Sequence, residues 1–182
     1  GASAGLNLVA YGYGRTHLKA GDIVLTTIAE HASCILPWMR VCQEQKAQLQ
    51  YIDISQDGRI HLDTLASMMS EKVKVIVLAH VTNVLGYEAP IKEICELAHR
   101  YGAVVVVDGA QSVAHQKIDV QALDCDFFAF SAHKMLGPTG IGVLYGKYHL
   151  LNQMEPIYLG GDSNARYYPN GEIILKDVPE RF

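Results

Sequence analysis

Two stretches of this chain, Val73–Val81 and Ala103–Val107, are almost unbroken apolar runs, and no feature limits the possible folds more tightly. A strand with one wet face alternates polar and apolar residues, whereas these present apolar side chains to both faces. Such strands must be covered on both sides, the situation met in parallel sheets sandwiched between helices. Each run falls far short of the ~20 residues needed to cross a bilayer, so no membrane segment is expected. Between the runs, Pro90 opens a segment with Ile91, Ile94, Cys95 and Ala98 at helical spacing, and Gly102 closes it. Ile23-Val24-Leu25, Phe127–Phe130 and Ile141–Tyr145 read as further strands. The pattern predicts an α/β fold with three layers, α/β/α, around a mostly parallel sheet.

The remaining segments are weaker signals. Leu6, Val9 and Ala10 mark a first helix from Ala4 to about Tyr13, with Gly12 and Gly14 expected to end it. Pro37 suits the first turn of a second helix carrying Trp38, Val41 and Cys42. Leu49–Ile54 alternates as a strand, Asp57-Gly58 is a turn, and Leu62, Leu65, Met68 and Met69 mark a short helix. Beyond Gly160 the sequence is turn-rich and polar, with one weak strand at Ile173–Leu175. The expected division is therefore a core over 1–161 and a turn-rich tail over 162–182. The abrupt start at Gly1 and the loose ending at Phe182 read as cut edges of a longer protein.

Composition narrows the function. Hydrophobic residues make up 49% of the 182 and charged residues 19%, which supplies a core and argues against disorder. Lys and Arg number 15 against 19 Asp and Glu, a net charge of −4, so no basic nucleic-acid surface is expected. No charged-then-apolar leader opens the chain, so secretion is not indicated. Cys34, Cys42, Cys95 and Cys125 sit among apolar neighbours without a C-x-x-C pair. They read as buried reduced thiols of a cytoplasmic protein, and no metal site is expected.

In parallel α/β sheets ligands bind beyond the carboxyl ends of the strands. Past Ile23–Thr27 come Glu30 and His31, and past Val73–Val81 comes Asn83. Past Ala103–Val107 come Asp108 and Gln111, and past Phe127–Phe130 come Ser131, His133 and Lys134. Each has a bland reading: Asp108 as a cap, His31 as a packed or capping residue, Asn83 as a turn former, Lys134 as a solvated loop residue. Their joint placement at one sheet edge favours chemistry. A lysine amine forms a Schiff base when its ammonium is destabilised. A buried carboxylate keeps a pyridine nitrogen protonated, an imidazole such as that of His31 stacks on the ring, and hydroxyls at a helix N-terminus suit a phosphate dianion. Gly1-Ala2-Ser3 leads into the first helix and offers such a terminus. Together these features describe a pyridoxal 5'-phosphate (PLP) pocket.

The motifs Glu30-His31, His80-Val81-Thr82-Asn83-Val84-Leu85-Gly86, Asp108-Gly109-Ala110-Gln111 and Ser131-Ala132-His133-Lys134 carry a family resemblance over about 1–161. The chain resembles the class V aminotransferase group of fold-type I PLP enzymes, and within it the group II (SufS-type) cysteine desulfurases, also called selenocysteine lyases. Thr139, after Gly137-Pro138, looks like group II rather than group I. The resemblance implies that Lys134 is the Schiff-base lysine, that Asp108 pairs with the pyridine nitrogen and that His31 stacks on the ring. It implies Gln111 and Asn83 near the phenolic oxygen, and Ser3, Ser131 and His133 on the phosphate. The implied reaction takes sulfur from L-cysteine as a persulfide on an enzyme cysteine and releases alanine, in a cytoplasmic homodimer that serves iron–sulfur cluster assembly and can pass sulfur to an acceptor protein.

The chain departs from that family in places. Gly1-Ala2-Ser3-Ala4 replaces the usual Gly-Thr-Thr-Glu, and Ala32-Ser33-Cys34 follows His31 where the family has His-Ala-Asn or His-Ser-Asn. None of the four cysteines corresponds to the persulfide cysteine, and the substrate-carboxylate arginine is expected beyond Phe182. A kynureninase-like or epimerase-like activity is the alternative within the group, and a non-catalytic interaction fragment is the alternative outside it. A nicotinamide-binding fold is excluded because no G-x-G-x-x-G follows a strand.

Overall fold

A computed structural model describes residues 1–182, and its central sheet has the predicted design. In chain order, α1 (Ala2–Val9) passes through a π-helical segment (Ala10–Gly14) into α2 (Arg15–His17), followed by β1 (Ile23–Thr26), α3 (Ala32–Gln45), β2 (Gln48–Tyr51) and α4 (Leu62–Met68). Then come β3 (Val73–Ala79), α5 (Ile91–His99), β4 (Val104–Asp108), α6 (Val120–Leu123), β5 (Phe127–Ser131), a 3₁₀ turn (Ala132–Met135) and β6 (Gly142–Gly146). A short α7 (Tyr148–Leu151) precedes β7 (Asn164–Tyr167) and β8 (Ile173–Leu175). The main sheet runs β2-β1-β3-β4-β5-β6; its first five strands are parallel and β6 is antiparallel to β5.

The apolar runs divide between two cores as period-two side chains must. Val75, Val77, Val104 and Val106 face one way, against Leu6, Val9, Trp38 and Val41 of α1 and α3. Ile76, Leu78, Val105 and Val107 face the other way, against Leu65 of α4 and Ile91, Ile94 and Cys95 of α5. Each such fully buried side chain stabilises the fold by ~1.5–3 kcal/mol relative to an exposed one. Two-sided burial therefore explains both the lack of alternation and the three layers. The fold is the fold-type I arrangement expected from the sequence.

Three local expectations are corrected. Gly12 and Gly14 do not end the first helix, which continues to His17. A Cβ on Gly12 would lie 2.5 Å from Glu155 O, and one on Gly14 would lie 2.8 Å from the Trp38 ring. These glycines permit close packing rather than a break. The second helix begins five residues before Pro37, at Ala32, with His31 as its cap. The last 21 residues contain two strands, not one, because β7 pairs with β8 in a separate antiparallel hairpin. The cysteines conform to expectation: all four are free and buried.

Candidate active site

The five parallel strands aim their carboxyl ends at one rim, and a cavity of about 260 Å³ opens there. Its wall includes Ser3, His31, Asn83, Asp108, Gln111, Ser131, His133 and Lys134, so of the strand-end residues singled out from the sequence only Glu30 lies outside it. A larger groove of about 490 Å³, lined by Ala4, Leu8, Ile141, Val143 and Ile157 among others, lies on the β6 side of the sheet. Tyr158 is the one polar side chain on its wall, so the cluster of reactive groups belongs to the smaller cavity.

Asp108 closes β4 and is 5% exposed. Its Oδ1 accepts a 2.9 Å hydrogen bond from Ala110 N–H, while its Oδ2 receives none from the protein. Burial raises the Asp108 pKa above the usual carboxylate value; the Ala110 N–H, Lys134 and His31 oppose that rise. Only glycine can follow it, since a Cβ on Gly109 would lie 2.0 Å from the Phe128 ring. Lys134 enters from the 3₁₀ turn after β5, which ends on Leu136 at φ 64 and is tied by Gly137 N–H to Ala132 O at 2.9 Å.

His31 stands at the opposite element as the cap of α3. Its Nδ1 accepts from Ser33 N–H at 3.1 Å, which assigns the ring's hydrogen to Nε2 in the neutral tautomer. Capping and cavity-lining, set against each other in the sequence, are thus combined in one side chain. Gln111 Nε2 donates to Asn83 Oδ1, joining the β3 and β4 loops.

At the other end, Ala2 N–H donates to Ser131 Oγ at 2.6 Å, and Ser3 Oγ lies 2.7 Å from Ser33 Oγ. The start of α1 approaches β6 so closely that a Cβ on Gly142 would lie 2.5 Å from Gly1 Cα. Hydroxyls and a helix N-terminus thus converge beside His133, a donor set suited to a phosphate dianion. Ser33 was not foreseen as part of this site; its place two residues after a capping histidine was the available signal.

The residues present fit PLP. A buried carboxylate with one oxygen lacking a protein donor accepts the N–H of a pyridinium ring. The hydroxyl cluster, an amine and an imidazole line the same cavity.

The description "Aminotransferase class-V" matches residues 1–182. A probable cysteine desulfurase of Halalkalibacterium halodurans is 52% identical over 162 residues, covering 89% of this chain and 40% of that protein. Among solved structures, the cysteine desulfurase CsdA of Escherichia coli, in an S-sulfonic acid form, superposes with a TM-score of 0.95 at 36% identity, covering all of this chain and 45% of CsdA. A variant of the protein C-DES, with glycine covalently linked to its PLP cofactor, gives a TM-score of 0.86 at 25% identity over all of this chain and 48% of C-DES. The chain thus spans a little under half the length of the proteins it matches. Its motifs, its sheet and these likenesses agree, and the chain belongs to the class V aminotransferase family.

Proposed function

We propose that this chain holds PLP in the strand-end cavity and forms the cofactor-binding part of a cysteine desulfurase. The observation that carries the reading is Asp108, a buried carboxylate aimed at the cavity with an oxygen that no protein group satisfies. PLP, when bound, supplies an electron sink for bonds at the substrate's α-carbon. Asp108 holds a proton on the pyridine nitrogen, and Lys134 supplies the amine that anchors the cofactor and moves protons during turnover. His31 covers a ring face. Gln111 and Asn83 orient the phenolic oxygen, and Ser3, Ser131 and His133 fix the phosphate.

In this reading L-cysteine is the substrate, L-alanine is released and sulfur leaves as an enzyme persulfide. None of the four thiols here is the nucleophile. Cys34 is fully buried, and burial raises its pKa well above that of a free thiol. Cys42 is pushed up to about 11 and Cys125 to about 12, again chiefly by burial. A thiolate is the reacting form, and these sites suppress it. The persulfide cysteine is supplied outside 1–182. Homodimer formation, an acceptor protein for the sulfur and a role in iron–sulfur cluster assembly complete the proposal. Four free buried thiols support a reducing, cytoplasmic setting.

Adding PLP should produce a visible absorbance that borohydride fixes covalently on Lys134, located by peptide mass mapping. A Lys134→Ala protein should retain no such adduct. An adduct elsewhere, or none in the unsubstituted protein, would overturn the assignment.

A further inference from the structure

Glu30 lies in the turn between β1 and α3, one residue before the cap His31, and is 9% exposed. Its Oε1 accepts a 2.7 Å hydrogen bond from Thr27 Oγ1, and its Oε2 accepts a 2.6 Å bond from the Ala79 backbone N–H. The second bond explains a buried carboxyl group at this position. In a parallel ladder, successive backbone N–H groups turn to alternate neighbours. His80 N–H donates to Asp108 O on β4, so Ala79 N–H, one position earlier, points toward β1. By then β1 has ended at Thr26, and its last register partner on β3 is Ile76. The Glu30 side chain supplies the acceptor that the departed strand no longer offers. Ala79 itself lines the cavity and stands in register with Asp108.

We propose that Glu30 is a positioning residue for this site: its carboxyl group clamps the His31 turn to β3 and takes up a proton in preference to Asp108, leaving Asp108 ionised. The proposal rests on PLP occupying the cavity, where the His31 position and the Asp108 charge both act on the ring. The groups around Glu30 are the Thr27 and Ala79 donors, the Asp108 carboxylate, the buried Cys34 thiol and the adjacent His31. Burial drives the Glu30 pKa up to about 7, the Thr27 and Ala79 donors restrain it, and Asp108 adds to the rise. No cation relieves it, whereas Asp108 faces Lys134 and His31. A proton entering this pair of buried carboxyl groups therefore settles on Glu30. The Thr27 hydroxyl can accept as readily as donate, so the neutral acid keeps the same contacts.

The test uses the intact protein and its Glu30→Gln, Glu30→Asp and Glu30→Ala variants. In the PLP-free state, Glu30→Gln should gain stability relative to the unsubstituted protein as pH rises from about 4.5 to about 7 and level off above that, read from unfolding midpoints between about pH 4.5 and 8. Parallel curves overturn the proton assignment. Glu30→Ala and the shorter Glu30→Asp should speed hydrogen exchange at the Ala79 amide by at least about tenfold. PLP affinity, measured by equilibrium dialysis, should fall by about tenfold in both. Glu30→Gln should restore most of that affinity. Unchanged Ala79 exchange in whichever shortened variant folds overturns the clamp. If the unsubstituted protein fails to bind PLP, the cofactor reading falls, while the exchange and pH measurements still judge Glu30 on their own.

Discussion

At the scale of single residues, charge placement decides what the cavity can do. Asp108 is buried beside an amine and an imidazole, and one of its oxygens has no protein donor. Asp108→Asn keeps the shape but cannot balance a pyridinium charge. It should weaken PLP binding at least about tenfold, equal to ~1.4 kcal/mol, in an absorbance titration. Equal affinity would sink the pairing of Asp108 with the ring nitrogen. Asp108, Lys134 and His31 were legible in the sequence because strand ends in a parallel sheet share one rim, so position alone grouped them. The contacts of Glu30 were not legible. Its partner, the Ala79 N–H, lies 49 positions away and is available only because β1 stops short.

At the scale of elements, the first helix shows where local signals mislead. Glycine marks both helix ends and close approaches, and the sequence does not distinguish them. Here the Gly12 carbonyl accepts from Glu155 N–H at 3.1 Å, and the Gly12 Cα faces Glu155 O. Alanine is the better helix former by about 1 kcal/mol, so propensity alone predicts that Gly12→Ala stabilises. Packing predicts the reverse, a loss of about 1–3 kcal/mol from overpacking. Urea unfolding decides between them, and a raised midpoint would refute the packing account. Pro37 misled for a related reason: a capping histidine at position 31 is a weaker sequence signal than a proline, yet it sets the helix start. The strand β7 escaped notice because Asn164-Ala165-Arg166-Tyr167 is polar and gains its partner only through the hairpin.

At the scale of the whole molecule, the alternating burial of β3 and β4 produces two cores, and the four thiols are divided between them and their edges. Cys34 and Cys42 belong to the α1–α3 side, and Cys95 and Cys125 to the α4–α5 side. Burial raises all four thiol pKa values. The unfolded chain releases these protons near the ordinary thiol pKa, while the folded chain retains them. Stability is thus fully present below about pH 8.5 and falls as pH rises above it, by up to ~1.4 kcal/mol per pH unit for each thiol. Guanidinium unfolding under reductant should therefore show a fall of roughly 5–8 kcal/mol between pH 8 and pH 10. A flat profile would mean the thiols ionise in place.

The hydrogen bond between Ala2 N–H and Ser131 Oγ joins groups 129 positions apart. At a synthesis rate of about 5–20 residues per second, the N-terminus of α1 waits roughly 6–26 s for its hydroxyl partner to be made. Throughout that interval Leu6 and Val9 lack the Phe127 and Ala129 surface that later covers them. The nascent chain therefore exposes the apolar face of this segment until β5 is made, and the strand-end cavity can close only once β5 has docked.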